Sequence, residues 1–201
     1  MALFGERLHA ARDELTALDS AIGDADHGIN MDRGFTAVAA ILPPLEAGDA
    51  GTLFKQVGMK LISTVGGASG PLYGTFFLRL GTSLGDTQDV TPQALAAAMR
   101  AGLEGVIARG KAGLGDKTMV DAMTPAVEAL ESGAADGLGP ALDAAAAAAA
   151  AGRDAITPLV ARKGRASYLG ERSAGHQDPG ATSTTLLFES LRDALNGAPG
   201  R

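Results

Sequence analysis

Carboxylates are dense in one short stretch near the N-terminus. Asp19, Asp24 and Asp26 fall within twelve residues, together with His27 and Asn30. Carboxylates this close repel one another unless a cation lies among them. Mg²⁺ is the simplest candidate, because it prefers oxygen ligands and often shares them with phosphate. The stretch therefore predicts a metal site, with helix capping and solvated turn carboxylates as the alternative interpretation.

The spacing of these carboxylates indicates a turn. Intervals of five and two residues do not share one helical face, where neighbours lie three or four residues apart. Gly23 should end a helix that carries Asp19, so that Asp24 and Asp26 curl back beside it. His27 taken alone is a weak signal, because a lone histidine is more often a polar contact than a ligand or base.

Three glycine-rich loops add candidate phosphate contacts. Residues 65–74 read VGGASGPLYG, whose backbone N–H groups and Ser69 hydroxyl could face an anion at the start of the next helix. Residues 109–119 read RGKAGLGDKTM, which we reject as a Walker A loop because it has one residue too many before the lysine and no preceding strand. Residues 163–180 contain Arg165, whose guanidinium suits phosphate oxygens.

Each of these loops also has a purely structural interpretation. Residues 65–74 could be a plain turn between helices. Met119 could pack in the core, which is the commoner fate of methionine. Asp178 could simply cap the last helix.

Composition excludes several classes of function. The chain of 201 residues is 46% hydrophobic, and its net charge of −6 with scattered Lys and Arg argues against a nucleic-acid surface. The absence of cysteine excludes disulfides and thiolate metal sites. Neither a membrane span nor a signal peptide is recognisable. We expect one cytoplasmic domain over residues 1–201 that binds neither nucleic acid nor membrane.

Hydrophobic periodicity predicts an almost entirely helical chain. Apolar residues recur at three- and four-residue intervals, without the alternation of a β-strand. Thr91-Pro92 and Asp178-Pro179 are helix start signals, and Asp116 is the expected cap of another helix. About eight helices result, with expected ranges 3–18, 30–42, 52–65, 72–84, 91–109, 116–130, 140–151 with a continuation over 154–162, and 178–195.

Two further signals concern helix ends and connections. The second helix should stop at Pro43-Pro44, because the residue before proline disfavours the α region. Eight alanines, Ala144–Ala151, favour a helix by propensity, with a disordered linker as the alternative. Short connections predict antiparallel neighbours, so the functional loops should share one end of an all-α domain.

Together, the four loops describe a site for a phosphorylated ligand. Carboxylates would hold metal, glycine loops and helix starts would hold phosphate, and Arg165 would compensate charge. Phosphoryl transfer needs this combination, because it depends on positioning and on neutralising the transferring oxygens.

Four motifs in register resemble the ADP-binding L subunits of phosphoenolpyruvate-dependent dihydroxyacetone kinases. They are LDSAIGDADHGINMDRGF, VGGASGPLYGTFF, RGKAGLGDKTMVDAMTPAVEAL and KGRASYLGERSAGHQDPGATST. The resemblance covers about residues 8–191 and implies an eight-helix antiparallel up-and-down barrel with the nucleotide across one end. Single-chain, ATP-dependent kinases carry the same domain together with a large substrate-binding domain, for which this chain has no room. The separate-subunit form is therefore expected.

The resemblance also implies residue roles. Asp19, Asp24 and Asp26 match the carboxylates that hold two Mg²⁺ ions. Nucleotide contacts are implied for a set of twelve residues, namely His27, Gly28, Ile29, Asn30, Ala68, Ser69, Gly110, Met119, Arg165, Asp178, Pro179 and Gly180. Arg165 is also the residue implied in catalysis, whereas Lys117, Arg172 and His176 are expected only near the site.

The implied activity is a phosphoryl relay between subunits. A phosphohistidine on an M subunit, supplied by the phosphotransferase system, converts retained ADP to ATP, and the phosphoryl group passes to dihydroxyacetone on a K subunit. Two other interpretations stay open. One is the same module acting on another small ketose, polyol or acyl substrate, and the other is a non-catalytic nucleotide-binding module.

Overall fold

This computed structural model describes residues 1–42 and 49–197, which form helices joined by loops. Within these ranges no strand is present, and the predicted all-α class is confirmed. The α-helices are α1 Ala2–Ala10, α2 Arg12–Ile22, α3 His27–Ala39, α4 Ala50–Thr64, α5 Ser69–Leu84, α6 Pro92–Gly110, α7 Met119–Gly133, α8 Leu138–Ala155 and α9 Pro179–Asn196. A 3₁₀ helix over Arg165–Ser173 lies between α8 and α9.

Helices α1 and α2 form one helix that is interrupted at Ala11. The sequence predicts a single helix over residues 3–18, but Ala11 leaves helical geometry at φ −91° and ψ 5°. Backbone hydrogen bonds from Ala11 N to Arg7 O and from Leu15 N to Ala11 O, both 2.9 Å long, continue across the break. If α1 and α2 are counted as one helix, the number of α-helices in the described residues equals the predicted eight.

The helices close into a ring around the core. Each packs against the next along the chain, and α9 returns to pack against α1, α2 and α8. Short connections make sequential neighbours antiparallel. The enclosed core is mainly aliphatic, with a cluster of buried rings that includes Phe4, Phe35, Phe76 and Phe77. In the part of the chain that is described, no helix is long and apolar enough to cross a membrane.

Glycines bring α4 and α5 into close contact. A Cβ atom on Gly81 would lie 2.5 Å from the carbonyl oxygen of Gly51, and one on Gly58 would lie 2.7 Å from that of Gly74. These neighbours are backbone atoms, which cannot move aside as a side chain can. The close packing fixes α5 against α4 along the part of the helix from Gly74 to Gly81.

Three helix starts differ from the sequence prediction. Helix α3 begins at His27 instead of near residue 30, and α5 begins at Ser69 instead of near residue 72. Helix α7 begins at Met119, and its cap is Thr118, so the prediction of Asp116 as the cap is wrong. In α3 and α5, glycine and polar residues assigned to loops thus form the first helical turn, whereas α7 starts three residues later than expected.

The alanine tract is helical and partly buried. Ala145, Ala146 and Ala149 of α8 are buried against neighbouring helices. Helix α8 ends at Ala155, so the predicted helical continuation over 154–162 is wrong beyond that residue. Helix α3 ends at Ala39, and the predicted stop at Pro43-Pro44 lies outside the described residues.

Candidate functional site

A cavity of about 410 Å³ opens at one end of the bundle. Its walls come from the C-terminal ends of α2 and α6, the loop after α4, and the starts of α3, α5, α7 and α9, with residues 163–166 completing them. Four helix N-termini therefore direct the positive ends of their dipoles toward the same space. This arrangement favours an anionic ligand.

Twelve of the fifteen residues predicted for the site line this cavity. They are Asp19, Asp24, Asp26, His27, Ala68, Ser69, Gly110, Met119, Arg165, Asp178, Pro179 and Gly180. The structure thus brings together residues from all four predicted loops. Their chemical roles stay predictions, whereas their proximity is observed.

The other three predicted residues, in the first turn of α3, have different surroundings. Gly28 is buried against α2, where an added Cβ would lie 2.0 Å from the carbonyl oxygen of Arg12. The Ile29 side chain is half-exposed, and that of Asn30 is buried. Asn30 Oδ1 accepts a hydrogen bond of 2.7 Å from Arg33, whose Nε donates to the Thr64 carbonyl at 3.0 Å. Asn30 is therefore linked, through Arg33, to the end of α4, where the glycine-rich loop begins.

The three carboxylates converge as their spacing predicts. One oxygen each of Asp19, Asp24 and Asp26 lies within 4.8 Å of the other two. Ala25 adopts φ 61°, a left-handed conformation that is costly for alanine, and thereby turns the chain back on itself. Three oxygen donors in this arrangement fit a hard divalent cation such as Mg²⁺.

Backbone donors orient Asp19. Its Oδ2 accepts hydrogen bonds from the N–H groups of Asp26 at 2.8 Å and His27 at 3.1 Å. An added Cβ on Gly23 would lie 2.0 Å from Asp19 Oδ1, so only glycine leaves room for this carboxylate. Asp26 occupies the N-cap of α3, yet its side chain makes no capping hydrogen bond. Its carboxylate is therefore available to a cation.

Arg165 lies against the carboxylate cluster. Its Nε is 2.9 Å from Oδ2 of Asp24, and its side chain is 64% exposed. An exposed ion pair of this kind contributes little to stability. The guanidinium can therefore exchange a carboxylate for a phosphate oxygen at small cost.

The four helix starts differ in whether a side chain caps their first-turn N–H groups. Helix α7 is capped by Thr118, and α9 is capped by Asp178, which accepts from Ala181 N at 2.7 Å. Helices α3 and α5 have no side-chain cap. First-turn N–H groups lack intrahelical partners. At α3 the first of them, that of His27, donates to Asp19 Oδ2, so donors for a ligand concentrate at the start of α5, beside the carboxylates. An anion is therefore best bound at this end of the cavity.

His27 belongs to a buried hydrogen-bond chain. Its Nε2 lies 2.9 Å from Ser183 Oγ, and its Nδ1 lies 3.0 Å from Ser69 Oγ. Ser183 Oγ also contacts the Tyr73 hydroxyl at 2.7 Å and the Gly180 carbonyl at 3.1 Å. The carbonyl only accepts, so Ser183 donates to it, His27 donates from Nε2, and Ser69 donates to Nδ1. Ser69 then presents oxygen lone pairs to the cavity, where the sequence predicts a donor.

The charge of His27 follows from its burial. Burial lowers its pKa to about 4, although the Asp19 carboxylate opposes this shift. The imidazole is therefore neutral at pH 7 and serves to orient hydroxyl groups.

Sequence reasoning placed Lys117 near the site without a role, and it missed Ser183. Lys117 lines the cavity but is itself only 1% exposed, and its ammonium donates three hydrogen bonds to backbone carbonyls. Its one signal in the sequence was its position after a glycine-rich loop. Ser183, within α9, had no signal, because its contact with His27 spans 156 residues.

Asp178 should make stability depend on pH. Burial raises its pKa to about 7, opposed by the Ala181 N–H group. An unfolded aspartate titrates near pH 4, so this contribution to stability is complete below about pH 4 and is lost as the pH rises through about 7. Asp178→Asn keeps a capping side chain without the titration.

The free energy of unfolding of Asp178→Asn, relative to that of the wild type, should therefore rise between pH 4 and pH 7. Urea denaturation at several pH values without nucleotide or Mg²⁺ measures this difference. A difference that does not vary with pH would contradict the shift.

Comparison with known proteins identifies relatives of the same length and longer ones. The chain is 48% identical over 189 residues to the ADP-binding subunit DhaL of the PEP-dependent dihydroxyacetone kinase of Escherichia coli (strain K12), covering 93% of this chain and 90% of that one. It is 36% identical over 184 residues to the L-erythrulose 1-kinase of Mycolicibacterium smegmatis (strain ATCC 700084 / mc(2)155), covering 90% of this chain and 32% of that one.

Structural comparison gives the same fold. The crystal structure of the dihydroxyacetone kinase from C. freundii in complex with AMP-PNP and Mg²⁺ matches with a TM-score of 0.75 and 28% identity, over 96% of this chain and 32% of that one. The family model of the DAK2 domain matches residues 21–193, which is most of the sequence. The chain belongs to the DAK2 domain family.

Proposed function

We propose that this chain is the ADP-binding subunit of a phosphoenolpyruvate-dependent dihydroxyacetone kinase. The observation that carries the proposal is the convergence of three carboxylates, Arg165 and two uncapped helix starts at one end of the cavity. The E. coli subunit supports it, because the match extends over nearly the whole of both chains. In this proposal residues 1–201 form one nucleotide-binding domain.

Different residues would bind different parts of the nucleotide. Asp19, Asp24 and Asp26 would hold two Mg²⁺ ions, which would neutralise charge on the phosphate oxygens. The N–H groups at the starts of α3 and α5 would bind phosphate, and Gly110 and Met119 would flank the nucleoside. ADP would remain bound as a non-exchanging cofactor that cycles through ATP.

Arg165 is the residue we assign to the transferring phosphoryl group. Its guanidinium would leave Asp24 and neutralise charge that develops on the equatorial oxygens. No general base is needed on this chain. His27 is neutral with both ring nitrogens hydrogen-bonded, so activation of the acceptor hydroxyl would fall to the partner.

Two partner subunits complete the proposed reaction. A phosphohistidine on an M subunit would donate the phosphoryl group, and dihydroxyacetone bound to a K subunit would accept it. The bond between phosphorus and the histidine nitrogen would break as the phosphoryl group passes to bound ADP. The group would then pass to a hydroxyl oxygen of the acceptor, whose proton the partner subunit would take, and ADP would be regenerated. A cytoplasmic location stays a prediction from the sequence.

Purification followed by reconstitution tests this proposal. The chain should retain ADP and Mg²⁺ through gel filtration, which nucleotide and metal analysis of the denatured protein would measure. It should form dihydroxyacetone phosphate only when K and M subunits and phosphoenolpyruvate-driven donor proteins are added. Rapid steady-state ATP turnover by the isolated chain would contradict the cofactor role of the nucleotide.

A second candidate function differs only in the acceptor. The 36% identity to an L-erythrulose 1-kinase shows that the same domain occurs in an enzyme named for another small ketose. The reconstituted assay should therefore compare dihydroxyacetone with erythrulose. Preference for erythrulose would replace the assigned substrate and leave the nucleotide site unchanged, whereas binding without any transfer would indicate a non-catalytic module.

A further inference from the structure

Lys117 is a buried cation whose hydrogen bonds are all used within the protein. Its Nζ donates to the carbonyl oxygens of Thr157 at 2.8 Å, Leu159 at 2.8 Å and Ser173 at 2.7 Å. Three carbonyl acceptors require the ammonium form, because a neutral amine has only two N–H donors. All three acceptors lie in residues 157–175, hereafter the Arg165 loop.

The same bonds close the base of the Arg165 loop. Gly175 N donates to the Thr157 carbonyl at 2.9 Å, so the two ends of the loop meet where the ammonium binds. Arg162 N donates to the Asp116 carbonyl at 3.0 Å, which attaches the loop to the segment that carries Lys117. Arg165 projects from this base and reaches the carboxylate cluster.

Lys117 itself is held in a special backbone conformation. Its φ is 64°, in the left-handed region that non-glycine residues seldom occupy. This conformation precedes the capping residue Thr118, so the lysine is fixed by the start of α7 on one side and by the loop carbonyls on the other. Lys117 thus connects the start of α7 to the Arg165 loop.

We infer that Lys117 is a positioning residue for phosphoryl transfer, because it cross-links the Arg165 loop to the wall of the cavity and thereby holds the Arg165 guanidinium over the carboxylate cluster. The inference rests on the proposed function, since it assigns Arg165 to the transferring group. A misplacement of about 1 Å at a reacting centre can cost about 100-fold in rate. A purely structural lysine would instead affect only the stability of the fold.

The test compares Lys117→Met with Arg165→Ala and the double variant in the full chain with its K and M partners. Methionine keeps the aliphatic stem and removes the three donors. Lys117→Met should slow transfer roughly 10- to 100-fold. The double variant should be no slower than Arg165→Ala within about threefold, because both changes remove the same positioned group. The inference would be overturned if the rate loss of the double variant equalled the product of the two single-variant losses. It would also be overturned if Lys117→Met transferred at the wild-type rate.

A core variant supplies the matched control. Leu142→Ala, in a buried position of α8, should lower stability by a comparable amount and show rate effects that multiply with those of Arg165→Ala. If Lys117→Met does not fold, Lys117→Gln replaces it, because glutamine keeps a polar side chain but cannot make the three hydrogen bonds of the ammonium. Ser173→Ala, which leaves those three bonds in place, tests the internal support of the loop. The Ser173 hydroxyl joins Ala161 N and the Gly170 carbonyl within the same loop, so its loss should show the same non-additivity with a smaller rate effect.

Hydrogen exchange separates this inference from the proposed function. In Lys117→Met, the amides of Gly175 and Arg162 should exchange at least about tenfold faster, while those of α6 keep their protection. If the wild type neither binds ADP nor transfers phosphoryl groups, the proposed function fails, whatever the exchange result. If the wild type is active but loop exchange is unchanged in Lys117→Met, the inference about Lys117 fails alone.

Discussion

Asp26→Asn should weaken Mg²⁺-dependent ADP binding roughly 100-fold or more. Replacing groups that merely support metal ligands typically costs 10- to 100-fold in metal affinity, so loss of a ligand charge should cost at least as much. The substitution should leave the helix start intact, because the Asp26 side chain makes no capping hydrogen bond. The backbone N–H of residue 26 can donate to Asp19 in both the wild type and the variant. Calorimetric titration of ADP with and without Mg²⁺ measures the effect.

The metal-free stability of Asp26→Asn separates a binding defect from a folding defect. Three carboxylate oxygens within 4.8 Å of one another repel, so removing one charge should leave the metal-free chain at least as stable as the wild type. Asp136→Asn is the matched control, because it makes the same charge change at an exposed turn beyond α7. Normal retention of Mg²⁺ and ADP by Asp26→Asn would show that the metal assignment is wrong.

Local signals in the sequence predicted the parts of the site that depend on short-range geometry. The spacing of Asp19, Asp24 and Asp26 around Gly23 predicted a turn that brings the carboxylates together, and the structure contains that turn. The cap-and-proline pairs at residues 91–92 and 178–179 predicted two helix starts correctly. Such signals work because a cap or a proline acts on its own first turn.

Features that depend on contacts between residues far apart in the sequence could not be predicted. Ser69 and Gly70 read as a loop by propensity, yet packing of α5 against α4 extends the helix through them. The nucleotide contact of Asn30 stays a prediction. Arg33, which donates to Asn30 Oδ1, also donates to the Thr64 carbonyl, a partner 31 residues away that the sequence does not reveal. Lys117 was expected near the site without a role, because its burial depends on carbonyls 40 to 56 residues further along the chain.

Arg165→Ala should slow phosphoryl transfer about 1,000-fold in the reconstituted system. An arginine that neutralises charge on a transferring phosphoryl group is worth about 10³- to 10⁵-fold in phosphoryl-transfer enzymes, and we use the lower end because two Mg²⁺ ions are proposed to share the task. The affinity for Mg²⁺-ADP should fall by less than about tenfold, because the carboxylates and the uncapped helix starts carry ground-state binding.

Arg165→Lys distinguishes geometry from charge at this position. Lysine keeps the positive charge but lacks the planar fork that binds two oxygens at once, so it should recover only part of the lost rate. Arg172→Ala, an exposed position in the same 3₁₀ helix, should transfer at nearly the wild-type rate. Single-turnover transfer from the phosphorylated M subunit measures all three variants. A loss of ADP affinity with an unchanged single-turnover rate for Arg165→Ala would assign Arg165 to ground-state binding, because a group that acts only in the transition state lowers the rate alone.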